Sequence, residues 1–141
     1  MNRTGLRWLL VVVTLAGLVI DAYVHFDLAA RYDPVASTTL SQGDLFRVEA
    51  VAAIVAAVGL ILRPRWYTAG LAFAVLAAGA AALYVYRYWN VPAFGPIPRM
   101  YEPIWYPEKT LAAVAETVGA VSAAGLVLVS VLVSRGTSRR S

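Results

Sequence analysis

The sequence predicts an all-α membrane protein, built as a four-helix up-down bundle with an ordered extracytoplasmic loop cap. Of its 141 residues, 60% are hydrophobic and 14% are charged, and the mean hydropathy is +0.68. These values lie outside the range of soluble globular domains. Four apolar stretches also approach the ~20 residues that a helix needs to cross a bilayer. We therefore interpret residues 1–141 as a single membrane domain.

The four apolar stretches predict transmembrane helices over residues 8–26, 45–62, 66–86 and 110–133. The first follows a basic N-terminus, as a signal peptide does, but it is about twice the usual length and lacks a small-residue cleavage site before Asp21. It is therefore predicted to be a retained signal anchor.

The sequence also contains signals for helix ends. Ser41-Gln42-Gly43-Asp44 has the pattern of a capping box before the second span. Pro107 and Glu108 place a proline and an acid in the first turn of the fourth span. The short Arg63-Pro64-Arg65 turn makes spans two and three antiparallel neighbours. The remaining connections are two outer loops, 27–44 and 87–109.

Charge is distributed unevenly between the two ends of the predicted bundle. The end with both termini contains seven basic and no acidic residues: Arg3, Arg7, Arg63, Arg65, Arg135, Arg139 and Arg140. The opposite end contains all the acids: Asp21, Asp27, Asp33, Asp44, Glu49, Glu102, Glu108 and Glu116. The positive-inside rule therefore predicts a plasma-membrane protein with cytoplasmic N- and C-termini. Residues 134–141 are predicted to form a basic tail at the anionic inner leaflet.

The second outer loop, 87–109, is rich in proline and aromatic residues. Closely spaced prolines restrict the backbone, and disordered segments have few aromatic residues, so this composition predicts a folded cap. An aromatic belt at headgroup depth is the alternative explanation of its rings. The residues predicted to contact a partner or ligand in this cap are Trp89, Arg99, Tyr101, Glu102, Trp105 and Tyr106.

Four ionisable residues are predicted near the outer end of the spans. Asp21 and the only histidine, His25, are four residues apart, which places them on one helix face. At ~1.5 Å per residue, Asp21 and Glu116 lie roughly 8–9 Å below the outer boundary and Glu49 roughly 6 Å. Intramembrane acids of this kind are functional candidates. Three cations at the rim are candidate counter-ions: Arg47, Arg87 and Lys109.

Three interpretations of the four residues stay open. A divalent metal ion such as zinc, copper or manganese would let Asp21, Glu49 and Glu116 ionise together, with His25 as a nitrogen ligand. Without an ion, the acids would share a proton and could bind a small polar ligand. Alternatively, they form a structural polar network that ties the helices together.

Several chemistries are excluded or disfavoured by composition. The chain has no cysteine, which excludes thiolate metal sites, disulfide chemistry and covalent attachment of c-type haem. A single histidine excludes bis-histidine haem within one chain. No nucleotide-binding fingerprint, catalytic serine arrangement or nucleic-acid motif is present, so an enzyme is disfavoured. Metal-assisted hydrolysis by an aspartate and histidine stays open.

One pattern in the chain consists of Asp21-Ala22-Tyr23-Val24-His25-Phe26-Asp27-Leu28, then Tyr32, then Gly43-Asp44-Leu45-Phe46 before an Ala/Val-rich span. This pattern resembles a group of small, uncharacterised actinobacterial four-span integral membrane proteins. The resemblance covers mainly the first half of the chain. It implies the four-span architecture and a cell-membrane location, and it implies no activity.

These observations favour a membrane binding or accessory protein, with an outward-facing carboxylate and histidine cluster for a cation or small polar ligand. One alternative is a structural or partner-binding subunit of a membrane complex. Another is a small oligomeric transporter or channel, since the small residues of spans three and four would permit self-association. The expected partners are the lipid bilayer and another membrane protein or further copies of the chain, without nucleic acid.

Overall fold

A computed structural model describes residues 2–138, with side chains for residues 2–132. It contains four helices: α1 (Arg3–Tyr32), α2 (Gln42–Leu62), α3 (Trp66–Tyr88) and α4 (Pro107–Ser138). Each is long and apolar enough to cross a membrane. The predicted all-α, four-helix membrane bundle is therefore confirmed. Helix α4 extends through the first part of the predicted tail 134–141, and residues 139–141 lie outside the described residues.

The helices form a closed ring in chain order. Helix α1 packs against α2 and α4, and α3 completes the ring between α2 and α4. The centre is filled by leucines and alanines, among them Leu18, Ala53, Leu76 and Ala123, which are fully buried. Small side chains allow helices to approach closely where packing, rather than the hydrophobic effect, drives association in lipid.

The two ends of the bundle differ in structure. At one end, here called the terminal end, the Arg7 guanidinium donates a hydrogen bond to the Pro64 carbonyl oxygen. The start of α1 and the turn between α2 and α3 therefore lie together. The other end, here called the loop end, contains the two long connections, 33–41 and 89–106.

Helix α1 continues six residues beyond its predicted end at Phe26, as far as Tyr32. The added turns bury Leu28 and Ala29. Arg31 Nη2 lies 3.6 Å from Oδ2 of Asp27, one turn earlier. Pro34 then disfavours further helix. The first connection is therefore much shorter than the predicted loop 27–44.

The predicted starts of α2 and α4 are present in the structure. The Ser41 hydroxyl accepts a hydrogen bond from the Asp44 backbone N–H, and the Asp44 carboxylate accepts one from the Ser41 N–H. This reciprocal pair is the capping box. Helix α4 begins at Pro107, with Glu108 in its first turn.

The connection 89–106 folds back over the loop end as an ordered cap. Val91 and Met100 exchange two backbone hydrogen bonds of 3.1 Å, and Phe94 and Ile97 exchange two of 3.0 Å. The turn between them uses Gly95 with a φ of 56°, which glycine adopts without strain. The predicted ordered cap is confirmed. Further bonds join it to the first connection and to α3: Thr38 Oγ1 to the Pro96 carbonyl, Arg99 N–H to Ser37 Oγ, and Glu102 N–H to the Tyr86 carbonyl.

Candidate functional site

Three of the four predicted cluster residues meet between α1 and α4. The Asp21 carboxylate oxygen Oδ1 lies 2.7 Å from His25 Nδ1, and Glu116 Oε1 lies 3.9 Å from His25 Nε2. One ligand-type atom from each residue lies within 4.8 Å of those of the other two. Asp21 and Glu116 are 0% exposed, and the His25 side chain is 14% exposed. The shared depth that the sequence predicts is thus accompanied by contact.

A glycine crossing explains why α1 and α4 are this close. A Cβ built on Gly17 would lie 2.9 Å from the Ala115 carbonyl oxygen and 3.0 Å from Gly119 Cα. Asp21 follows Gly17 by one helical turn, and Glu116 precedes Gly119 by almost one turn. The crossing therefore brings the two carboxylates together on the same side of the interface.

The orientation of His25 is fixed by its neighbours. Its Nδ1 forms a 3.0 Å hydrogen bond with the Asp21 carbonyl oxygen, and its ring packs edge-on against Phe46 at 5.1 Å. Since a carbonyl only accepts, Nδ1 donates this hydrogen bond. The other ring nitrogen, Nε2, faces Glu116 Oε1 at 3.9 Å.

Glu49 reaches the same site from α2, across from a glycine of α3. A Cβ built on Gly79 would lie 3.0 Å from Glu49 Oε1 and 3.0 Å from Glu116 Oε1. Both carboxylate oxygens therefore lie against the space that a side chain at Gly79 would occupy. Helix α1 thus contributes Asp21 and His25, α2 contributes Glu49, and α4 contributes Glu116. Helix α3 contributes the gap at Gly79.

Most carboxylate oxygens of this cluster lack hydrogen-bond partners. Among residues 2–132, five of them are buried and accept no hydrogen bond, although the first lies 2.7 Å from His25 Nδ1: Asp21 Oδ1, Asp21 Oδ2, Glu49 Oε1, Glu116 Oε1 and Glu116 Oε2. Burying an unpaired carboxylate costs several kcal/mol, and buried polar groups are normally satisfied. A bound cation or shared protons would offset this cost.

The three predicted counter-ions lie at the rim and have other partners. Arg47 pairs with Asp33, with nitrogen–oxygen distances of 2.6 and 2.9 Å. This guanidinium holds the pKa of the Asp33 carboxyl below its usual value. Lys109 donates a hydrogen bond to the Glu102 carbonyl oxygen and lies over the Trp105 ring, as does Arg87. Within the described side chains, no ion pair joins these cations to the cluster.

A cavity of about 340 Å³ lies between the cluster and the cap. His25, Glu49 and Gly79 form its floor. Its roof is formed by the cap residues Ile97, Met100, Glu102 and Tyr106, and aliphatic side chains of α1, α2 and α3 form most of its walls. His25 and Glu49 of the cluster therefore border open space rather than packed side chains.

The predicted cap residues fall into two groups. Glu102 and Tyr106 line the cavity, and both contact the Tyr32 hydroxyl, at 3.0 and 2.8 Å. Burial raises the pKa of Tyr106, so its phenol stays neutral. The others lie outside the cavity: Arg99 Nε donates to Asn90, and the rings of Trp89, Tyr101 and Trp105 are exposed.

Sequence reasoning gave no site role to Gly79, Tyr32 and Phe46. Gly79 lies in a run of alanines, which indicates close helix packing and does not reveal a gap beside two acids. Tyr32 was expected in a loop, and only the extension of α1 brings it to the cap. The pattern contained no signal that would have placed Phe46 against His25.

The fold and the site define a four-helix membrane protein with a buried carboxylate and histidine cluster beneath an ordered cap. No protein-family model, curated protein or solved structure matches this chain.

Proposed function

We propose that this membrane protein binds a divalent metal ion of the first transition row through Asp21, His25 and Glu116, with Glu49 beside them. The observation that carries the proposal is the set of buried, unpartnered carboxylate oxygens of Asp21 and Glu116. A divalent ion would neutralise two carboxylates and use the free Nε2 of His25. Carboxylate and imidazole donors together suit zinc or manganese.

The geometry supports a single ion. Metal–oxygen and metal–nitrogen bonds of ~2.0–2.2 Å place tetrahedral ligand atoms about 3.3–3.6 Å apart on one ion. The three donors lie within 4.8 Å of one another, so side-chain movements of up to about 1 Å would form the site. The hydrogen bond from His25 Nδ1 to a backbone carbonyl orients the ring, as in many metal sites.

The positive-inside pattern supports an outward-facing site. Arg3, Arg7, Arg63 and Arg65 lie at the terminal end, and acids are concentrated at the loop end. We place the terminal end in the cytoplasm and the loop end, with the cluster and cap, on the outer side of the plasma membrane. The metal would then exchange with the outer medium or with an external partner.

The test is metal analysis of protein purified from cells grown with trace metals, with Glu116→Gln and His25→Gln beside the wild type. The expected result is about one metal ion per chain in the wild type and a loss in both variants. Glu108→Gln is the matched control, because Glu108 lies on the same helix and its side chain is 37% exposed. It should retain the metal.

Thermal unfolding with a chelator separates this proposal from a structural network. Chelation should lower the Tm of the wild type, because a ligand at 100 times its Kd stabilises by ~2.7 kcal/mol. Glu116→Gln should unfold at the same temperature with or without chelator. If the wild type contains no metal and its Tm is the same with and without chelator, the acids form a structural network and the proposal fails.

A further inference from the structure

The cavity has a lateral opening between α2 and α3. Val48 of α2 and Ala78 of α3 line the cavity and are also exposed on the outer surface of the bundle, Val48 by 65%. These two helices are the least closely packed of the four neighbouring pairs in the ring. In a bilayer, this surface faces lipid, so the cavity communicates with the membrane rather than only with water.

The size and walls of the cavity limit what can occupy it. Small-molecule pockets range from ~300 to ~1,000 Å³ and are mainly apolar. At about 340 Å³, this cavity is at the lower end and would hold one short chain or a small ring system, too little space for a two-chain lipid. Leu28, Leu45, Leu83 and Ala82 provide apolar walls.

The charge in the cavity favours a cationic head group. If Asp21 and Glu116 neutralise a divalent ion, the Glu49 carboxylate is left without a counter-charge. Glu49 lines the cavity floor, and its Oε1 has no hydrogen-bond partner.

Several other polar groups that line the cavity already have partners. Glu102 accepts a hydrogen bond from the Tyr32 hydroxyl, and the Lys109 ammonium donates to the Glu102 carbonyl. His25 bonds to its own helix. Of the acids that line the cavity, Glu49 is the one with a buried carboxylate oxygen that has no hydrogen-bond partner.

We propose that the cavity binds a small lipophilic amine, which enters from the bilayer between α2 and α3 and places its ammonium group on Glu49. The apolar body lies against the leucine-rich walls below the cap. This inference does not depend on the metal site, since the cavity, its lateral opening and Glu49 are present without an ion.

The test uses the protein in phosphatidylcholine nanodiscs and three probes with the same chain: decylamine, decanol and decanoate. Thermal unfolding is followed by the fluorescence of the four tryptophans. Decylamine should raise the Tm of the wild type in a saturable manner, and the other two should not. Glu49→Gln should raise the decylamine concentration at half-saturation by roughly 10- to 100-fold, as expected for loss of a charged hydrogen bond. Equal effects of decanol, or an unchanged response of Glu49→Gln, would overturn the assignment.

A second variant tests the route and leaves the acids intact. Ala78→Leu should narrow the opening and reduce the decylamine response, and Ala81→Leu is the matched control, because Ala81 is exposed on the same helix but does not line the cavity. If both variants respond like the wild type, the lateral entry is wrong.

Metal analysis of the same samples keeps the two proposals separate. Ala78→Leu, which leaves all four cluster residues intact, should retain the metal that Asp21, His25 and Glu116 hold. Amine binding without metal would refute only the proposed function, and metal without amine binding would refute only the cavity inference.

Discussion

The replacement Gly17→Ala tests the link between the packing of the bundle and the site. The added Cβ would lie 2.9 Å from the Ala115 carbonyl oxygen, against at least 3.4 Å for an ordinary contact, so the helices must separate by about 0.5 Å. Both nearest atoms belong to the backbone of α4, which no side-chain rotation can move. Overpacking of this kind costs ~1–3 kcal/mol.

Gly70→Ala provides the reference, because a Cβ at Gly70 of α3 meets nothing within 4 Å. Both replacements gain the same helix propensity, up to ~1 kcal/mol. The difference in unfolding free energy between the two variants therefore isolates the packing term. Gly17→Ala should be less stable than Gly70→Ala by ~1–3 kcal/mol.

The assay is reversible unfolding in mixed micelles with an increasing fraction of denaturing detergent. Unfolding is followed by circular dichroism and tryptophan fluorescence. Metal content is measured on the same samples. Because Asp21 lies one turn beyond Gly17, separation of α1 from α4 should also weaken the proposed metal binding. A Gly17→Ala protein as stable as Gly70→Ala, with unchanged metal content, would refute the close crossing and its role in the site.

Two further predictions concern the loop end. Tyr32→Phe removes the hydroxyl that contacts Glu102 and Tyr106. It should therefore destabilise the protein by ~0.5–1.5 kcal/mol and speed amide hydrogen exchange in the cap. Tyr101→Phe, which alters an exposed ring, should have neither effect. Arg47 lowers the pKa of Asp33, so their pairing stabilises the fold above the ordinary pKa of ~3.9 and is lost as the pH falls through the lowered value. The stability difference between wild type and Arg47→Gln should therefore shrink from pH 6 towards pH 2, and a constant difference would contradict this pairing.

The sequence by itself predicted the architecture, because a bilayer imposes simple rules. Apolar length determines where a helix crosses, and the capping box at Ser41 and the proline at Pro107 mark helix starts through local hydrogen bonds alone. Helix α1 continues six residues beyond the predicted end of the span at Phe26, because the polar residues Asp27 and Arg31 interrupt the apolar run without ending the helix. Hydropathy indicates which part of a helix lies in the hydrocarbon of the bilayer. The helix itself extends beyond that part.

The sequence also predicted the depth of the cluster, since rise per residue gives the height of Asp21, Glu49 and Glu116 along their helices. Rotation about each helix axis and the distance between axes depend on contacts between residues far apart in the chain. The Gly17–Gly119 crossing and the gap at Gly79 settle both in the folded bundle. Only tertiary structure therefore decided that Asp21, His25 and Glu116 meet, that Arg47 pairs with Asp33 outside the cluster, and that an apolar cavity opens beside Glu49.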